Sequence, residues 1–154
     1  MINKIVIGSD HGGFEYKEII KDHLLALGYE VLDVGCYNKS SVDYPDIAVN
    51  ASEIVIKENI KGILVCGTGI GISIAANKCQ GIRAALCNNE YSARMAREHN
   101  NSNILALGQR VLGEGLLLNI VDVWLNTEFV GGRHENRVKK INKIEEVKWW
   151  DIRF

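Results

Sequence analysis

A cysteine that closes an apolar run and is followed at once by alternating glycines has the setting of a reactive thiol. In this chain it is Cys66, in Ile63-Leu64-Val65-Cys66-Gly67-Thr68-Gly69-Ile70-Gly71. The thiolate is the reactive form, and the start of a following helix favours it over the thiol. The glycines let successive backbone N–H groups point at one anion beside it. A small buried thiol completing an apolar strand is the other reading, and the segment alone leaves both open. A second cluster, Ser9-Asp10-His11-Gly12-Gly13, follows the apolar run Ile5-Val6-Ile7. Asp10 and His11 can meet the hydroxyls of a ligand, and Ser9 or Asp10 can equally cap a helix beginning near Phe14. His99 closes an amphipathic pattern and leads into Asn100-Asn101-Ser102-Asn103. Arg133 and Arg137, four apart in GGRHENR, share a helix face, as a phosphate fork or as a solvated surface. Arg110 can join them.

Other chemistries fail on spacing. A dinucleotide loop needs a glycine or alanine where Ile72 stands, and a Walker loop needs a GK[ST] ending that is absent. No HxxxH, HExxH or Cys/His quartet occurs, so neither a metal nor a cofactor is expected. Cys36, Cys66, Cys79 and Cys87 contain no CxxC pair, which excludes a dense disulfide framework and a zinc ribbon. Cys36, Cys79 and Cys87 read as structural, and His23 as a surface residue.

These side chains need a scaffold, and the sequence writes one. Five β-branched runs alternate with helical spacing: 5–7, 29–34, 63–66, 82–86 and 103–107 as strands. Helices are expected after residue 14, over 48–55 with Asp46 as N-cap, over 72–78, after an Asn89 cap, over 116–124 and over 138–147. In the Asn89-capped helix, Ser92, Met95, Ala96 and His99 are placed on one face. Such alternation implies α/β architecture: a three-layer α/β/α sandwich with a five-stranded parallel, Rossmann-like sheet. Ligands then bind beyond the carboxyl ends of the strands. The 154 residues, 47% hydrophobic and 24% charged with a net charge of −1, read as one domain spanning 1–154. No broad cationic surface exists for nucleic acid or anionic membrane. No signal-peptide order or membrane-length apolar run is seen, so a cytoplasmic protein is expected.

Taken together, GSDHGGFEYK (8–17), DYPD (43–46), CGTGIGISIAANK (66–78), GIRAALC (81–87), REHNNSNILALGQR (97–110) and GGRHENRV (131–138) resemble the ribose-5-phosphate isomerase B family. The wider group includes galactose-6-phosphate and allose-6-phosphate isomerases, and the likeness runs from about Lys4 to Glu146. It implies a metal-independent aldose–ketose isomerase with no cofactor. By that resemblance Cys66 is the catalytic base, with Thr68 beside it as a proton relay. His99 opens the sugar ring from a neighbouring subunit. Gly67, Thr68, Gly69, Ile70 and Gly71 cradle the enediolate. Asp10, His11, Tyr44, Asn100, Arg110, Arg133 and Arg137 bind substrate, the arginines at the phosphate. Ser73 stands where some members place a glutamate base, which marks the cysteine type. The implied partners are a phosphosugar and further copies of the chain, as a homodimer or tetramer with a shared site. The region 133–154 is expected at a subunit interface. A 6-phosphohexose isomerase and a non-catalytic phosphosugar-binding module are the alternative functions. Two features depart from the family: the tail VKWWDIRF (147–154), and the loop 36–42, which has no assigned role.

Overall fold

Apolar runs without polar alternation become strands when both their faces are covered. The computed structural model describes residues 3–146 and arranges five such strands in one sheet. They are β1 (Lys4–Ser9), β2 (Glu30–Asp33), β3 (Lys61–Cys66), β4 (Ala84–Leu86) and β5 (Ile104–Gly108), all parallel, in the order β2-β1-β3-β5-β4. Six helices join and follow them: α1 (Phe14–Ala26), α2 (Tyr44–Glu58), α3 (Ile70–Ala76), α4 (Glu90–Glu98), α5 (Glu114–Asn126) and α6 (Arg133–Glu146). The expected three-layer sandwich is the fold observed. Among the described residues, no helix is long and apolar enough to cross a membrane. The tail 147–154 lies outside the described residues.

Strand periodicity decides which layer each side chain enters. Ile5, Ile7, Ile63, Val65, Leu105 and Leu107 face α1, α4 and α5, packing with Ile20, Leu24, Ala93, Leu117 and Trp124. Val6, Leu64, Cys66, Ile104 and Ala106 face the other way, onto Ile47, Ala48, Ala51 and Val55 of α2 and Ile72 and Ala76 of α3. Trp124 is fully buried, and its Nε1 donates to Ser102 Oγ at 2.8 Å. Truncating such a residue to alanine typically costs about 3–5 kcal/mol.

Several local details differ from expectation. Helix α2 starts at Tyr44, with Asp43 rather than Asp46 at the N-cap position. Pro45 explains the shift, since in the first turn its missing N–H costs nothing and its φ is already helical. Helix α3 begins at Ile70, inside the glycine run. Asn89 does cap α4, its Oδ1 accepting from Ser92 N at 2.8 Å. The buried positions of α4 are Ala93, Ala96 and Arg97, whereas Ser92 and Met95 are only partly covered. Arg97 turns inward because its guanidinium finds the carbonyls of Ser102 and Thr127 and lies over the Trp124 ring. His23 is tied to α5, with Nε2 2.7 Å from Asp122 Oδ1.

Candidate functional site

One group of candidate residues gathers at the carboxyl edge of the sheet. Cys66 ends β3 and is buried, and the Gly69 N–H donates to its Sγ at 3.1 Å. That amide can adopt this direction because Gly69 has φ +76°, a conformation open to glycine. The Ile70 N–H donates to Thr68 Oγ1 at 3.3 Å. Two amides of the expected anion cradle are thus engaged by the thiol and the hydroxyl. The loop after β1 closes against the same point. Asp10 N donates to Val65 O, and Asp10 Oδ1 accepts from Gly13 N at 3.1 Å. A Cβ on Gly13 would lie 2.5 Å from the Val65 carbonyl, so only glycine lets α1 start this close to β3. His11 is exposed, its Nδ1 accepting from Val42 N at 3.3 Å. The Tyr44 ring covers Gly71, where a Cβ would meet Cζ at 2.7 Å. The Arg110 guanidinium lies over Gly67, with Nη1 3.2 Å from where a Cβ would stand.

Behind this edge is a pair that the sequence reading did not single out. Lys17 is fully buried, with Nζ 2.7 and 2.9 Å from the Asp33 carboxylate and about 5.5 Å from the Phe14 and Tyr37 rings. Burial alone would raise the Asp33 pKa. Hydrogen bonds from Lys17, the Gly35 N–H and Lys21 outweigh it and hold the carboxyl below its usual range. Asp33 thereby fixes the turn at Gly35, whose carbonyl accepts from Ser9 N at 2.6 Å. The loop 36–42 is part of the same edge, reaching Asp33 O through Tyr37 Oη and His11 through Val42.

The second group sits at the opposite edge. Helix α4 runs back against the strands, so His99 and Asn100 lie where β5 begins, and Gly62 N donates to Asn103 O at 2.9 Å. His99 stacks on His134 of α6, ring centroids 4.1 Å apart and planes 5° from parallel. Burial, then the neighbouring His99, Arg133 and Arg137, hold the His134 imidazole below its ordinary pKa, against a smaller opposite effect of Glu98. Arg133 and Arg137 are exposed on the same helix. Strand β3, six residues long, spans about 17 Å between its ends. Asp10, His11, Tyr44, residues 67–71 and Arg110 therefore share an edge with Cys66. His99, Asn100, Arg133 and Arg137 do not reach it within one chain. The buried role of His134 carried no signal in the sequence beyond its place in GGRHENR. Among the described residues, no group of three or more His, Cys, Asp or Glu could hold a metal ion.

The family model described as Ribose/Galactose Isomerase matches residues 5–141. A solved ribose-5-phosphate isomerase B of Clostridium thermocellum is 58% identical with a TM-score of 0.92, covering 93% of this chain and 97% of that one. The ribose-5-phosphate isomerase B of Escherichia coli (strain K12) is 47% identical over 146 residues, 94% of this chain and 98% of the relative. The Mycoplasma genitalium ribose-5-phosphate isomerase B, solved with bound ribulose-5-phosphate, is 42% identical with a TM-score of 0.90, covering 95% and 98%.

Proposed function

The chain belongs to the ribose/galactose isomerase family, and from that premise we propose that it interconverts D-ribose 5-phosphate and D-ribulose 5-phosphate. The observation that carries this reading is the buried Cys66 thiol at the end of β3, amid glycine backbone and beside Thr68, in a chain so similar to ribose-5-phosphate isomerases B.

Aldose–ketose exchange needs an open-chain sugar, removal of a proton next to the carbonyl, and its return to the adjacent carbon. In this reading Cys66 Sγ, as thiolate, takes the C2 proton of the aldehyde and delivers it to C1. Thr68 relays the proton between the two oxygens of the enediolate, and the free amides of 67–71 stabilise its charge. Asp10, His11 and Tyr44 hold the sugar hydroxyls. His99 opens the furanose ring, Asn100 binds beside it, and Arg110, Arg133 and Arg137 bind the phosphate. Fixing the remote phosphate supplies binding energy that orients the reacting carbons.

Because His99 and Cys66 occupy opposite edges of one chain, the complete site draws His99, Asn100, Arg133 and Arg137 from a second copy. A homodimer, or a tetramer of such dimers, is the assembly this requires, acting in the cytoplasm. Helix α6 fits an intersubunit position, since only His134 and Val138 are buried while Ile141 and Ile144 stay exposed.

The test is ketose formation from ribose 5-phosphate in excess EDTA, run beside Cys66→Ala and beside allose 6-phosphate. Rapid, chelator-insensitive conversion of the pentose that the variant loses is the expected result. Turnover of the hexose alone keeps the chemistry and changes the substrate. Binding without turnover of either sugar would make the protein a phosphosugar-binding module.

A further inference from the structure

Arg83 stands just before β4, far from Cys66, and carries no part of the chemistry above. Its side chain nevertheless makes five hydrogen bonds. Nε donates to the carbonyls of Asn100 and Asn101, both at 3.1 Å, and Nη2 donates to Asn101 O at 3.0 Å. Nη1 donates to Gly81 O at 3.4 Å and to Asn142 Oδ1 at 3.3 Å. The Asn100 and Asn101 carbonyls belong to the turn directly after His99, and Asn142 belongs to α6, the helix bearing Arg133 and Arg137. Asn101 has φ +46°, a left-handed conformation that asparagine adopts more readily than most other side-chain-bearing residues. Arg97 grips the same turn from the core side, through Asn101 Oδ1 at 3.1 Å and the Ser102 carbonyl. Arg83 is the guanidinium that reaches both the turn and α6.

Other contacts also tie α6 to its own chain. His134 stacks on His99, Val138 is buried, and Glu145 Oε2 accepts from Gly81 N at 2.8 Å. A charged, planar donor fan is suited to joining several carbonyls at fixed angles, which a lysine cannot do. We infer that Arg83 is a positioning residue, bracing the His99–Asn100 turn against helix α6 so that the His99 imidazole is presented in ring-opening geometry to the site of another copy. This rests on the isomerase reading and deepens it.

The role can be separated from a general loss of stability by choosing the substrate. Ribose 5-phosphate closes a furanose ring through O4 and must be opened. Ribulose 5-phosphate stays open, because its O5 carries the phosphate. Exchange of its C1 hydrogen with solvent deuterium needs Cys66 and no ring opening. With the purified chain at saturating sugar, Arg83→Met should lower aldose turnover by about tenfold or more, since misplacing a reacting group by about 1 Å can cost about a hundredfold. Deuterium exchange into ribulose 5-phosphate, followed by NMR, should stay within about threefold of the unaltered chain. Should Arg83→Met not fold, Arg83→Lys carries the test, with the same split in reduced size. Unchanged aldose turnover, or an equal fall of both rates, overturns the inference while the isomerase reading stands. Absence of turnover in the unaltered chain sinks the isomerase reading, and this inference with it.

Discussion

The two edges of the sheet are built from different materials. At the carboxyl edge, the position of Cys66 is set by backbone: the Gly69 N–H on the sulfur, the start of α1 pressed against Val65, and β5 against the Thr68 carbonyl, where a Cβ on Gly108 would stand 2.6 Å away. At the opposite edge, His99 is set by side chains, through the stacked His134 ring and two guanidiniums that close on residues 100–102. Backbone donors already in place need no reorganisation when charge develops, which suits an oxyanion site. Side-chain clamps hold a geometry only while each partner stays in place. The thiol half is thus rigid by construction, and the histidine half is held by polar contacts and, in the proposed assembly, by another copy.

That contrast can be broken at several points. Cys66→Ala should reduce kcat by about 10²- to 10⁴-fold, the range for a general base, with phosphosugar binding by calorimetry retained. Retained turnover would remove the thiol from the chemistry. Next, Cys66→Ala and His99→Ala chains, each inactive on ribose 5-phosphate alone, should regain about a quarter of full activity when mixed and re-formed as random dimers. No recovery would place both residues in one site of one chain. Arg137→Ala should raise KM about tenfold with a smaller change in kcat, as loss of a charge-assisted contact to phosphate does. A kcat loss without a KM change would contradict the assignment. Gly13→Ala should destabilise the rigid edge by about 1–3 kcal/mol, lowering Tm by several degrees, because its Cβ meets the Val65 carbonyl. An unchanged Tm would show that this edge yields.

The smallest effect separates the edges by pH. The His134 pKa is depressed in the fold, so the unfolded chain takes up its proton first as pH falls below about 6.5, and stability declines in that window. Asp33 is also depressed, but as a carboxylate its contribution persists down to about pH 4 and is lost below. Tm measured from pH 7.5 to 5.5 should fall less in His134→Gln than in the unaltered chain, and equally in both if His134 does not contribute.

The same difference in materials governs what could be read from the sequence. Strand runs such as Ile5-Val6-Ile7 and Ile63-Leu64-Val65 declare a doubly covered parallel sheet, and the glycines after each declare close approaches. Asn89 announces its own cap. The edge carrying Cys66 was legible because local spacing and strand polarity suffice to build it. Arg83, Arg97 and Asn142 announce nothing, since their partners are carbonyls and amides brought near only by the folded chain. His23 reads as a surface residue because Asp122, its partner, lies 99 positions away in the sequence. Helix α2 starts three residues before the place that the capping preference of Asp46 indicates, because the fixed φ of Pro45 suits the first helical turn.

Lys17 gives the rigid edge a chemical clock. Amine-reactive reagents attack the neutral, accessible form of lysine, and this ammonium is wholly enclosed and paired with Asp33. Acylation of Lys17 therefore requires an opening of the structure that exposes its amine. Set against the exposed Lys139 and Lys143 as internal standards, its labelling rate would count the openings of the wall behind Ser9 and Asp10, one event at a time, while the enzyme is otherwise at rest.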